Sequence, residues 1–70
     1  MKSDYTAILK KDGDWWIGSV EEVPRVNAQE RTKQELRESL RVALREAIDF
    51  NRGDARRAAQ DDFVEEPLAL

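Results

Sequence analysis

The sequence predicts an α+β domain in which a three- to four-stranded, mainly antiparallel sheet carries one main helix on one face, in the order β-β-β-α-β. An Asp-Gly pair between two apolar runs predicts a β-hairpin. A capping-box pattern followed by an apolar stripe predicts one long amphipathic helix. Since one helix covers one face of a small sheet, we expect the other face to need a different cover.

The first two strands are predicted on either side of a short turn. Residues 5–10 are typical of a strand, and residues 15–20 form the returning strand, rich in aromatic and β-branched side chains. Between them lies Asp12-Gly13, a dipeptide that favours tight hairpins because glycine adopts positive φ at no steric cost.

The returning strand is apolar on both of its alternating sides. Trp15 and Ile17 share one side, and Trp16 and Val20 share the other. Such a strand predicts that both faces of the sheet are covered. Gly18, within the strand, marks either a bulge or a close approach of another backbone.

The third strand follows a turn that contains a proline. Residues 21–25 are predicted to turn, because Pro24 fixes φ and cannot donate to a central ladder. Residues 26–30 alternate apolar and polar side chains, which is typical of a short strand with one solvated face.

The helix is predicted to begin at Thr32, because Glu35 three residues later completes a capping box. Gly53 is placed to end it. Apolar residues then recur at three- and four-residue steps, as one helix face requires. They are Leu36, Leu40, Ala43, Leu44, Ala47 and Ile48.

The chain is predicted to form a single domain, residues 1–70, with its core at 4–52. Residues 53–62 are a linker or a short helix, and residues 63–70 are a tail or an edge strand. Seventy residues bury only about 60% of their unfolded surface, so a domain of this size usually needs a disulfide, a bound metal ion or a partner subunit for stability. The chain has no Cys for a disulfide and neither Cys nor His for a metal site, so a partner chain is expected, first of all a second copy.

Composition excludes several function classes. The absence of Cys and His removes disulfides, thiolate or imidazole metal sites and triad catalysis, and we expect neither cofactor nor enzymatic activity. A net charge of −3 disfavours nucleic acid as a partner. No apolar run is long enough for a membrane span, and the polar start lacks a signal-peptide core, so we expect a cytoplasmic protein.

The residues expected at a partner or dimer interface are apolar side chains without an evident cover and a row of arginines at four-residue steps. The row is interpreted as docking to an acidic patch on a partner, or as pairing across subunits with Glu21, Glu22 or the acidic tail; the alternative is ordinary solvated charge. The candidates are Trp15, Trp16, Val20, Arg37, Arg41, Arg45, Phe63 and Leu68.

Four segments in order resemble the HicB-like antitoxin family over residues 4–52. They are Trp15-Trp16-Ile17, Glu21-Glu22-Val23-Pro24, Asn27-Ala28-Gln29 and Thr32-Lys33-Gln34-Glu35-Leu36. The resemblance implies a partial ribonuclease H-like fold, a homodimer and neutralisation of a small RNA-cleaving toxin by masking its active site. Arg25 and Glu30 stand where the family usually has glycine. Seventy residues leave no room for the family's C-terminal DNA-binding domain, so promoter binding is not expected.

Two other functions stay open. One is a solitary structural dimer of unknown role. The other is a nucleic-acid-binding remnant of a ribonuclease H-like fold, which is disfavoured because the first strand has no acidic residue at its centre.

Overall fold

The computed structural model describes residues 5–69. Its elements are β1 (Ala7–Asp12), β2 (Trp15–Val20), β3 (Val23–Glu30) and α1 (Lys33–Ala59). The strands form one antiparallel sheet in the order β1-β2-β3, so β2 is central and the other two are edges. The α+β class, with three antiparallel strands and one main helix, is therefore confirmed.

The predicted hairpin is present, and its turn is Gly13-Asp14. Asp12 pairs with Trp15, which carries the ladder up to the turn and extends β1 two residues past the predicted end. Gly13 has a φ of 62° in the first loop position, the arrangement of a type II′ turn.

The second turn is shorter than predicted, because only Glu21 and Glu22 lie outside the strands. Pro24 falls inside β3, where Ser19 pairs with Asn27 and Val20 with Val23. This jump in register leaves residues 24–26 out of the regular ladder. A proline is tolerated at such an irregularity on an edge strand because no ladder hydrogen bond depends on its missing N–H.

The core lies between the sheet and the first half of α1. Val20, Val26, Leu36 and Leu40 are buried, with Leu36 fully inaccessible. Partly buried side chains extend this cluster over both layers: Leu9, Trp16, Val23, Ala28, Ala43, Leu44 and Ala47. The apolar stripe predicted for the helix is thus the face that packs on the sheet.

Gly18 allows the helix to approach the sheet closely. A Cβ at this position would lie 2.9 Å from the carbonyl oxygen of Ile8, 3.0 Å from Leu36 Cδ2 and 3.1 Å from Leu40 Cδ1. All three distances are tighter than ordinary contact. Of the two roles predicted for this glycine, close approach is the one observed.

Two polar contacts hold the start of α1. The Oγ1 of Thr32 accepts a hydrogen bond from the Glu35 backbone N–H at 3.1 Å, so Thr32 is the N-cap, as predicted. Ser39 Oγ donates to Glu30 Oε2 at 2.6 Å, which joins the end of β3 to the second turn of the helix.

The helix does not end at Gly53, as predicted, but continues to Ala59. A glycine inside a helix costs about 1 kcal/mol relative to alanine. The helix-favouring alanines after Gly53 offset this cost. The helix ends instead at Gln60, with φ 65°, whose N–H donates to the carbonyls of Arg56 and Arg57. Within residues 5–69, no helix is both long enough and apolar enough to cross a bilayer.

Residues 63–69, called the tail from here on, contain neither helix nor strand, so the edge strand expected there is not formed. The 27 residues of α1 span about 40 Å, whereas the eight of β3 span about 27 Å. The tail therefore leaves the helix past the end of the sheet, where no strand is available to pair with it. Residues 1–4 and Leu70, which belong to the predicted domain, lie outside the described residues.

Candidate protein interface

One face of the sheet is not covered by the helix. The register places Ile8 opposite Ser19 and Lys10 opposite Ile17, on the side away from the buried cluster. This surface, the open face, consists of Ile8, Lys10, Asp12, Trp15, Ile17, Ser19, Asn27 and Gln29. Ile8 is 49% exposed and Trp15 is 37% exposed. The sequence predicted a need for cover on this side, and α1 does not supply it.

Trp15 lies at one corner of the open face, under an arginine. The guanidinium carbon of Arg31 is 4.2 Å from the centroid of the indole, well within cation–π range. Arg31 follows β3, and it reaches Trp15 because β3 pairs beside β2. Sequence reasoning missed this contact, since the two residues are sixteen positions apart.

Trp16 lies on the opposite side of β2 and packs against the core. Lys11 Nζ and Lys33 Nζ are 5.6 Å and 5.7 Å from its ring centroid. The two tryptophans are thus divided between the two faces, as strand alternation predicts. Trp16 contributes to the fold, and only Trp15 belongs to the open face.

Val20 has almost no exposed surface in the folded chain. It is 3% exposed and lies in the buried cluster. The prediction that Val20 lies at an interface is therefore wrong, because β2 is the central strand and the helix covers this end of it.

A second uncovered feature is a groove between β1 and the helix. The helix lies nearer β3, which contributes Val23, Val26 and Ala28 to the core, whereas β1 contributes Leu9 alone among the described residues. This leaves a gap on the helix side of β1. The β1–α1 groove is lined by Tyr5, Thr6, Ala7, Leu9, Val20, Arg37, Leu40, Arg41 and Leu44.

The predicted arginine row borders this groove. Arg37 and Arg41 line it, and Arg41 and Arg45 line the cleft that continues along the helix with Leu44 and Ile48. Arg41 Nη1 contacts Glu38 Oε1, and both side chains are more than half exposed, so the pair contributes little stability. The structure therefore brings the three candidate arginines together along one side of α1, next to apolar surface.

Phe63 and Leu68 are separated from the other candidates. They lie in the tail and are 43% and 92% exposed. Arg56 Nε and Glu65 Oε1 form an ion pair at 2.8 Å, which directs the tail back along the last turns of the helix. In a single chain these two apolar side chains do not join either the open face or the groove.

Glu22 holds the N-terminal end of β1. Its carboxylate accepts hydrogen bonds from the Thr6 backbone N–H at 2.7 Å and from Thr6 Oγ1 at 2.8 Å. The backbone hydrogen bond first, and then the hydroxyl, lower the pKa of Glu22 below its ordinary value of 4.5. Nothing in the sequence distinguished this residue from Glu21 as the one that is engaged.

Carboxylates elsewhere do not converge. Among the side chains of residues 5–69, no three acidic groups come close enough together to hold a metal ion. Comparison of the chain with protein-family models, with curated proteins and with solved structures finds no match.

Proposed function

We propose that the chain is a non-catalytic protein-interaction module that forms a homodimer and, like the HicB-like antitoxins it resembles, neutralises a small RNA-cleaving toxin by covering its active site. The open face is the observation that supports this proposal. It presents the exposed Ile8 and Trp15 and the half-buried Ile17 on a sheet whose buried core is small for a chain of this length.

A second copy is the first partner to consider for the open face. The described core has four buried apolar residues, and the chain has no cysteine with which to compensate. Association would bury the aliphatic pair Ile8 and Ile17 together with the indole of Trp15. Aromatic side chains at the centre of an interface commonly contribute most of its binding energy.

The homodimer is tested by light scattering with Trp15→Ala. We expect the wild-type chain to be dimeric at micromolar concentration and the variant to have a dissociation constant raised by about tenfold or more. Val42→Ala, at a 52% exposed position on the helix, is the matched control and should leave the constant unchanged. A wild-type chain that remains a folded monomer at every concentration contradicts the proposal.

Toxin neutralisation is tested by co-expression. The gene next to this one is expressed in a host whose growth it arrests, with and without this chain. Growth rescued by the wild-type chain and by Val42→Ala, but not by Trp15→Ala, supports the proposal. If the neighbouring gene arrests growth and the wild-type chain gives no rescue, or if no small toxin-like gene is adjacent, the antitoxin role is rejected.

The cations around both tryptophans favour a second candidate, binding of single-stranded RNA. Arg31 lies over Trp15, and Lys11 and Lys33 lie over Trp16, which combines aromatic surface with positive charge. Titration of an RNA oligonucleotide with tryptophan fluorescence as the signal tests it. Quenching that weakens steeply with salt would support this function, whereas no change at low salt would reject it.

A further inference from the structure

We propose that the β1–α1 groove binds the tail of a second copy of this chain, so that the two subunits exchange their C-terminal segments. This inference rests on the proposed homodimer and places a contact between its subunits at the groove and the tail. In this arrangement the tail fills the groove, and the arginine row contacts the acidic side chains of the tail. The exposed apolar side chains of the tail are then covered.

The groove requires a ligand that is apolar on one side and acidic. Its lining includes the half-buried Leu9 and Leu44 and the exposed Arg37 and Arg41. The outer edge of β1 is not paired in the sheet, so its backbone groups can accept a further strand.

The tail has these properties. Residues 63–69 contain two acidic residues, Glu65 and Glu66, and no basic one, and Asp61 and Asp62 precede them, whereas residues 31–60 carry a net charge of +3. In an extended segment, side chains alternate, so Val64, Glu66 and Leu68 share one side. Pro67 favours the extended form at Glu66 and excludes a helix. An apolar–acidic–apolar face is therefore available to meet leucines bordered by arginines.

The tail also lacks this cover in its own chain, since Val64 is 80% exposed and Leu68 is 92% exposed. Side chains of this kind gain by docking, because docking removes their apolar surface from water.

The tail lies away from the groove of its own chain. With the Arg56–Glu65 ion pair formed, the tail runs beside the last turns of α1. Arg56 lies 16 residues from Leu40, which is about 24 Å along the helix, whereas the four residues 66–69 extend over about 13 Å. In a second subunit whose helix runs antiparallel to α1, the tail begins close to the groove, so the same ion pair does not keep it away.

The experiment uses disulfide exchange, because the chain contains no cysteine of its own. A full-length chain carrying Ala7→Cys, at the groove, is mixed with one carrying Leu68→Cys in a glutathione buffer. Heterodisulfide is measured by mass. We expect its yield to exceed that of the Val42→Cys and Leu68→Cys mixture by on the order of tenfold, because docking raises the local thiol concentration. Val42 is exposed and does not line the groove.

A second arm tests the charges. Arg37→Gln with Arg41→Gln, placed in the Ala7→Cys chain, should lower the heterodisulfide yield severalfold. Arg57→Gln, a change of the same type outside the groove, should not lower it. Equal effects of the two changes would contradict the role assigned to the arginine row.

Each of the following results overturns the exchange of tails between subunits. One is a heterodisulfide yield no higher than that of the Val42→Cys control. Another is a disulfide formed within one chain that carries both Ala7→Cys and Leu68→Cys, at a rate independent of dilution. Light scattering of the same mixtures separates this failure from that of the proposed function: a dimer without enriched heterodisulfide overturns the exchange alone, and a monomer overturns both.

Discussion

At the scale of single residues, Gly18 determines how close the two layers of the fold come. The carbonyl oxygen of Ile8 belongs to the β1–β2 ladder and cannot retreat without breaking it. Leu36 and Leu40 are buried, so they have no free volume into which to move. The sequence could mark this glycine as special, but only the packing shows which neighbours make it so.

We expect Gly18→Ala to lower the free energy of unfolding by about 1–3 kcal/mol, because the added methyl group overpacks the interface between sheet and helix. The measurement is urea denaturation followed by tryptophan fluorescence, at one protein concentration for all variants. An unchanged midpoint would show that the helix can shift outwards at no cost, which contradicts the close approach.

The protonation of Glu22 is linked to folding through its hydrogen bonds with Thr6. Its carboxylate is bonded to Thr6 in the folded chain, and its pKa is lowered there. A lowered folded pKa means that the unfolded state binds more protons over the titration range, so stability rises with pH. The contribution is fully present above the unfolded pKa and is lost as pH falls through the lowered folded pKa.

We expect Glu22→Gln to lower the melting temperature at pH 7, and the difference from wild type to shrink as pH falls below 4.5. Thermal unfolding by circular dichroism from pH 7 to pH 2.5 measures it. Glu21→Gln, the same change at the neighbouring turn position, is the control. A difference for Glu22→Gln that stays constant over the whole range would contradict the carboxylate's role.

At the scale of elements, the sequence predicted what local chemistry specifies. The hairpin follows from Gly13, and the start of the helix follows from Thr32. Two predicted boundaries were wrong, the start of β3 and the end of α1. The first depends on pairing with the neighbouring strand, and the second on the helix propensity of the residues after Gly53. Pro24 lies inside β3 because the ladder is irregular there, and Gly53 lies inside α1 because the residues after it favour a helix.

The interior position of Gly53 can be tested by Gly53→Ala. Only the flexible end of Arg57 approaches the added Cβ, at 3.4 Å, so we expect a gain of about 0.8–1 kcal/mol and higher helix content. Gly13→Ala makes the same chemical change at a φ of 62° and should destabilise the chain. Loss of stability in both variants would show that Gly53 needs a conformation that alanine disfavours.

At the scale of the whole molecule, periodicity predicted the distribution of side chains but not the position of the helix over the sheet. Alternation separated Trp15 from Trp16, and four-residue steps aligned Arg37, Arg41 and Arg45. The β1–α1 groove could not be predicted, because it exists only since α1 lies nearer β3 than β1. The sequence also did not show which face of the sheet the helix covers, so Val20 could not be recognised as a core residue.

The overhang of α1 divides the chain into two levels of local stability. Leu36 and Leu40 are buried against the sheet, whereas every residue described from 54 onwards is exposed, in a molecule 51 Å long. The last turns of the helix can therefore unwind while the sheet and the first turns stay folded. Amide hydrogen exchange near Leu36 should need opening of the whole domain, and exchange between Gly53 and Ala59 should be faster by orders of magnitude. A partner that binds the far end of the helix would slow only the latter set.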